Sequence, residues 1–248
     1  MKIAIITINK DSEDLSRRLK AGFPNANIFS GKLTLYGALK NLVQNIFNEY
    51  DALIFIAALG IVARVISPCI KSKFSDPAVV AVDTAGRFAI SMLSGHEGGA
   101  NKLAFLTAGY LGAQAIITTG KETHKKFILG IGTRRGISSD KVKKAIKQAI
   151  KNKAVKLEAI RLAATVDLKK NEAGLIKACQ DLDLPLIFIS QENIRNFNGN
   201  ISKSEVVRRH IGLDGVCEPC ALLAGRRTKL ILGKTAQNGV TVALAEEN

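Results

Sequence analysis

Residues 94–101 read Ser-Gly-His-Glu-Gly-Gly-Ala-Asn, which sets His96 and Glu97 among Gly95, Gly98 and Gly99 directly before a helical run. Imidazole is the side chain that titrates nearest neutrality, and an adjacent carboxylate can orient it or return a proton. The chain has only three histidines, and glycines offer this one little to pack against, so it reads as a chemical group. The preceding stretch is dense in single polar residues. Arg64 lies on a short helix, Lys73 and Asp76 flank a turn closed by Pro77, and Asp83 ends a strand. Strand ends are where open α/β sheets place their ligands. Taken singly, Asn101 is a helix cap, Asp83 a turn former and His96 a hydrogen-bonded loop residue. Taken together they predict a polar cleft. Its catalytic groups would be His96, Glu97 and Asp83, and its binding groups Arg64, Lys73, Asp76, Gly95, Gly98, Gly99 and Asn101.

A second candidate is Gly-Ile-Gly-Thr-Arg-Arg-Gly at 130–136, between a strand and a helix capped by Ser138 or Ser139. Gly130, Gly132 and Gly136 would open the backbone to an anion at that helix terminus, with Thr133 beside it and Arg134 and Arg135 as counter-charges. No Lys-Ser/Thr follows the last glycine, so this is not a nucleotide P-loop. The alternative is a tight turn with solvated arginines. Cys217 and Cys220 form a single CxxC, which cannot complete a tetrahedral zinc site without a second pair. They read as small apolar thiols in a packed helix, and Glu218 between them needs a buried partner.

These groups must be positioned by an α/β frame. In the first half, apolar strand-like runs such as 2–8 and 51–58 alternate with helical ones, and 77–93 reads as a hairpin. Polar residues at 120–126 interrupt the pattern, after which a second strand–helix series begins and ends in a hairpin over 229–246. The expected fold is two α/β domains, 1–124 and 125–248, each a mostly parallel or mixed sheet flanked by helices. The composition, 47 % hydrophobic over 248 residues, supports full cores without disulfides. The start is too short and too quickly polar for a signal segment, and no apolar run reaches membrane-spanning length, so a cytoplasmic protein is expected.

The net charge is +15, of which +4 falls before Lys125 and +11 from Lys125 onward. Such a field attracts polyanions, although solvated lysine-rich surfaces are common. Nucleic acid is the rival partner. Aromatics are only 5 % with no tryptophan, and no nucleic-acid-binding signature is present, which argues against it.

The ordered series of motifs resembles the cobalamin-biosynthesis protein G family. It comprises "ALGIVARVISP", "DPAVVAVD" and "SGHEGGAN", then "GIGTRRG", "ATVDLKKNEAGL", "SEVVRRHIG", "VCEPCALLAG" and "GKTAQNGVTVALA". The resemblance implies a cobalt-precorrin-5A hydrolase, which opens a lactone on the macrocycle and releases a two-carbon fragment as acetaldehyde. It implies no cofactor, because the cobalt is carried by the substrate, and no metal site. Lys169 and Glu218 match family positions and join the binding groups; Asp167, Glu172 and Lys234 match family positions without a stated role, and Asp167 and Lys169 would form an ion pair. The basic surplus would concentrate a polycarboxylate corrinoid. Many members carry a further segment between the two domains, which is nearly absent here. Closing the site then falls to apposition of the histidine loop and the 130–136 stretch, or to a homodimer. The same gap favours a second reading, a non-catalytic corrinoid carrier that serves neighbouring corrin methyltransferases.

Overall fold

The computed structural model describes the whole chain except Lys32, Thr34, Leu35 and Lys203; the side chains of Lys10, Tyr36, Lys121, Thr123, Val206 and His210 also lie outside the description. The chain divides into two compact units, Met1–Thr119 and Gly120–Asn248.

The first unit runs β1 (Ile3–Thr7), α1 (Glu13–Gly22), β2 (Asn27–Phe29), α2 (Tyr36–Ile46), β3 (Ala52–Ile56), α3 (Leu59–Ile66), β4 (Ala78–Val82), β5 (Phe88–Leu93), α4 (Ala100–Leu111) and β6 (Gln114–Ile116). Its sheet has the order β2-β1-β3-β4-β5-β6. β1, β3 and β4 are buried at every residue, which is why they read as unbroken apolar runs rather than alternating ones. Alternate side chains still go to different layers. Ile3 and Ile5 join Leu15, Leu19 and Leu103 of α1 and α4, while Ala4 and Ile6 join Leu39, Val43, Val62 and Val65 of α2 and α3.

One strand breaks the pattern. β2, β1, β3 and β4 are mutually parallel, but β5 returns antiparallel to β4, with Val82 opposite Ala89 and Val79 opposite Leu93. β6 then pairs parallel with β5. The carboxyl end of β5 therefore lies at the edge where β3 and β4 begin.

The second unit runs α5 (Gly120–Thr123), β7 (Phe127–Thr133), α6 (Ser139–Asn152), β8 (Ile160–Val166), α7 (Ala173–Asp181), β9 (Leu186–Ile189), α8 (Gln191–Arg195), α9 (Glu205–Ile211), α10 (Cys217–Leu223), β10 (Thr228–Gln237) and β11 (Val240–Glu247). The sheet order is β10-β11-β7-β8-β9, with β7, β8 and β9 parallel and the terminal hairpin antiparallel to β7. α6 and α7 cover one face through Val142, Ile146, Leu175 and Cys179; α10 covers the other through Cys217 and Ala221. Both units are thus α/β, with mixed sheets. Among the described residues, no helix is long and apolar enough to cross a membrane.

Gly130 and Gly132 are strand residues of β7, not part of an anion-binding loop. A Cβ on Gly130 would sit 1.7 Å from the Cys217 carbonyl oxygen, and one on Gly132 would sit 2.5 Å from Thr241 Oγ1. Gly130 lets α10 approach the sheet, and Gly132 leaves room for the Thr241 side chain of β11. Substituting Gly130 by Ala should therefore cost about 3 kcal/mol or more, or prevent soluble expression, because the obstacle is backbone. Gly37 on α2 has open space around its Cα, and Gly37→Ala should stabilise the protein by about 0.5–1 kcal/mol. Chemical denaturation of both variants checks the contrast; equal stabilities would refute this account of Gly130.

Candidate functional site

The reversal of β5 delivers the histidine loop to the same edge as the loop before β4. There Asp76, only 5 % exposed, accepts backbone hydrogen bonds from Lys71 at 3.1 and 2.9 Å and from Ser72 at 3.0 Å. A buried carboxylate is tolerable when backbone N–H groups satisfy it. It folds residues 71–76 into a tight turn that carries Lys73 and Phe74 outward. Lys73 Nζ donates to Glu97 Oε1 at 3.2 Å and lies 4.8 Å from the Phe74 ring centroid. Glu97's own backbone amide, then the hydrogen bond from Lys73, hold its carboxyl below the usual range. Glu97 is therefore the partner of Lys73, and a His96–Glu97 hydrogen bond is not part of this arrangement.

His96 itself is exposed on a turn that the fold holds closely. Ser94 O accepts from the amides of Gly98 and Ala100, and Gly95 O accepts from Asn101 N. Asn101 is a strut rather than a cap. Its Oδ1 accepts from Ser91 Oγ at 2.8 Å and its Nδ2 donates to Thr119 Oγ1 at 2.8 Å, while the N-cap position of α4 belongs to Gly99. The strut explains Gly95, where a Cβ would come within 2.8 Å of Asn101 Oδ1; Gly98 is closed in by Ser94, whose Cβ would be 2.6 Å away. Gly99 adopts a left-handed φ of 84°, which favours glycine.

Two residues of this edge carry no sequence signal. Phe74 is 77 % exposed, an unusual setting for an aromatic ring, beside Lys73. Ser94 has φ 55°, uncommon for a residue with a Cβ, and its buried hydroxyl has no hydrogen-bond partner. Strain of this kind is concentrated at functional sites. An isolated Phe or Ser in a loop looks the same in sequence whichever way it points.

Asp83 is placed apart from this cluster. Asp83 ends β4 at the opposite edge, about 17 Å away along a five-residue strand. It accepts from the amides of Arg87 and Phe88, both at 2.7 Å, and from Arg87 Nε at 3.0 Å. Burial raises its carboxyl, but these bonds outweigh burial and hold it below the usual range. Arg64, on α3, donates back to the Gly60 carbonyl at 3.0 Å. The sheet thus separates Asp83 from the groups expected to work with it, because the strand that follows it turns back.

In the second unit, the amide of Gly136 donates to Glu172 Oε1 at 3.0 Å, so a protein carboxylate already occupies the N–H expected to meet an anion. Lys169 Nζ pairs with Glu172 Oε2 at 3.4 Å, and not with Asp167. Glu218, 3 % exposed, accepts from Ser202 N, from Ser202 Oγ at 3.0 Å and from Lys234 N at 2.7 Å. It ties α10 to two neighbouring segments, which answers its need for a partner. Arg134 is exposed, with its stem against Gly239, and Thr133 ends β7. Burial pushes the Cys217 thiol up to about 11 and the Cys220 thiol well above its ordinary value, so both are inert packing groups. Among the described residues, no three His, Cys, Asp or Glu side chains gather as a metal-binding group.

Comparison with known proteins matches this chain to two family models, cobalamin synthesis G N-terminal over residues 41–122 and cobalamin synthesis G C-terminus over 127–245. The cobalt-precorrin-5A hydrolase of Salmonella typhimurium is 26 % identical, with 98 % of this chain and 97 % of that protein covered. That of Priestia megaterium is 22 % identical, with 98 % and 94 % covered. The alignment with the Salmonella protein runs over 341 positions, so at least 93 of them fall opposite gaps in this 248-residue chain. The crystal structure of cobalamin biosynthesis protein chiG from Agrobacterium tumefaciens is similar at 31 % identity and a TM-score of 0.40, covering 49 % of this chain and 98 % of that one.

The geometry assigns Asp83 to the β4–β5 turn, and its depressed carboxyl fixes the sign of a pH effect. Its folded-state pKa lies below the unfolded value, so its contribution is complete above about pH 4 and is lost as pH falls through the folded value. Asp83→Ala should cost about 1–2 kcal/mol near neutrality, with the deficit against wild type vanishing in acid. Urea melts from pH 7 down to pH 2.5 check this; a deficit independent of pH would show that the carboxylate does not hold the turn.

Proposed function

This chain belongs to the cobalamin synthesis G family, and on that premise we propose that it is a cobalt-precorrin-5A hydrolase, opening the substrate's lactone and releasing a two-carbon fragment as acetaldehyde. The observation that carries the site assignment is the exposed His96, held on a pinned glycine turn beside the Lys73–Glu97 pair. An exposed, closely held base is what attack by water on a carbonyl requires.

In lactone opening, water adds to the carbonyl carbon while His96 takes its proton. The tetrahedral oxyanion collapses with cleavage of the ring C–O bond, and His96 returns the proton to the departing oxygen. Lys73, steadied by Glu97, supplies positive charge for the oxyanion or a peripheral carboxylate. Carbon–carbon cleavage follows when the hydroxyl on the two-carbon unit loses its proton. Its oxygen becomes the aldehyde carbonyl, the bonding pair passes to the macrocycle, and a proton adds to the ring. The sequence is redox-neutral. Phe74 offers an apolar face to a flat macrocycle at the edge of the same site.

Positions missing relative to the Salmonella protein support the second reading, a corrinoid carrier of the same pathway that binds without turnover. Anaerobic incubation with cobalt-precorrin-5A and an aldehyde assay separates the two. Stoichiometric acetaldehyde release is expected, and binding without release would leave the carrier. His96→Ala should lower the rate by about 10²–10⁴ without changing the melting temperature. Phe74→Ala should chiefly raise KM, because it removes contact shared by ground and transition states. A folded His96→Ala variant with wild-type turnover would remove His96 from the reaction.

A further inference from the structure

The segment that leads out of the first unit holds the histidine turn by one side chain. β6 ends at Ile116, and Thr119 is the last residue before the second unit begins at Gly120. The two branches of Thr119 meet different residues. Its hydroxyl accepts from Asn101 Nδ2 at 2.8 Å, and its methyl stands where a Cβ on Gly95 would come within 2.8 Å of it. Gly95 and Asn101 are themselves joined, because the Gly95 carbonyl accepts from the Asn101 amide. Thr119 therefore touches both ends of the turn that displays His96.

A turn of this composition does not hold itself. Gly95, Gly98 and Gly99 lie within three residues of His96, and glycine leaves a backbone its widest choice of conformations. A general base must come within about 3 Å of the proton it takes, so a shift of the loop by a fraction of that distance is felt in the rate. The bonds from the Gly98 and Ala100 amides to the Ser94 carbonyl fix the shape of the turn but not its place on the sheet. Its place depends on Asn101, which is 6 % exposed and is held by Ser91 of β5 on one side and by Thr119 on the other. At that depth water does not readily replace a lost acceptor, so without the Thr119 hydroxyl the Asn101 side chain must move to find another. The Asn101 backbone carries such a movement to Gly95, the residue next to His96.

We infer that Thr119 is a positioning residue for His96, acting through Asn101, and that the junction between the two units is thereby part of the support of the histidine loop. That His96 is the base rests on the hydrolase reading above; that Thr119 sets its place does not.

The test uses the full chain. Thr119→Val keeps the methyl against Gly95 and removes only the hydroxyl, whereas Thr119→Ser keeps the hydroxyl. Asn101→Ala and the Asn101→Ala/Thr119→Val pair show whether the two act on one path, and Val43→Ala, a buried change on α2, controls for lost stability. The imidazole resonances of His96, assigned by their loss in His96→Gln, are recorded for each, with kcat and KM for aldehyde release. Thr119→Val should displace the His96 resonances and lower kcat about tenfold, with KM within about twofold of wild type. Thr119→Ser should restore both, and the pair should be no slower than Asn101→Ala alone. Val43→Ala should melt lower and leave the His96 resonances and kcat near wild type. A Thr119→Val protein with wild-type His96 resonances and kcat overturns the inference, as does a Val43→Ala protein that loses kcat by the same factor. Losses that multiply in the pair would overturn the path through Asn101. Wild type that releases no aldehyde would defeat the hydrolase reading, and the His96 resonances would still decide the role of Thr119.

Discussion

The antiparallel return of β5 is the constraint on which the N-terminal site depends. Four parallel strands would by themselves put every β-to-α loop at one edge. Reversing the fifth sends residues 94–99 to the other edge, where the chain that enters β4 is already waiting. The reversal rests on a five-residue turn closed by the Asp83 carboxylate, which gathers two amides and the Arg87 guanidinium. Asp83 thus acts on the histidine loop from a strand's length away, by deciding where that loop emerges. The strut from Asn101 to Ser91 and Thr119 then fixes the loop against β5 and the segment after β6.

The polar residues of the chain sort by whether the protein satisfies them. Asp76, Asn101, Glu172 and Glu218 are buried, and each has donors or acceptors from the backbone or a neighbouring side chain. Such groups are framework, since removing one would strand several partners in low dielectric. His96 and Phe74 face outward, and Ser94 is strained with its hydroxyl unpartnered. These cost the fold something or gain it nothing, which is the expected signature of residues kept for a ligand.

Much of the frame was legible because burial on both faces writes unbroken apolar runs, and because 77–93 and 229–246 carry clear hairpin patterns. The three-residue β2 and the five-residue α8 are too short to show a period. At the candidate site, sequence reasoning singled out the loop that carries His96, since a histidine among glycines is a local signal. It failed where the answer lay in the partner. Glycines at 130 and 132 look like a phosphate loop until α10 is seen pressing on the first and Thr241 on the second, and Asp83 looks catalytic until its strand is seen to turn back. Phe74 is the opposite case, an apolar residue whose outward direction only the Asp76 turn determines.

The central claim is that the edge carrying His96 receives the macrocycle. Three histidines, His96, His124 and His210, make it directly measurable by imidazole resonances in solution. A diamagnetic cobalt(III) corrinoid, titrated into the protein, should shift the His96 signals through the macrocycle's field. Saturating corrinoid that leaves His96 unperturbed would contradict the account.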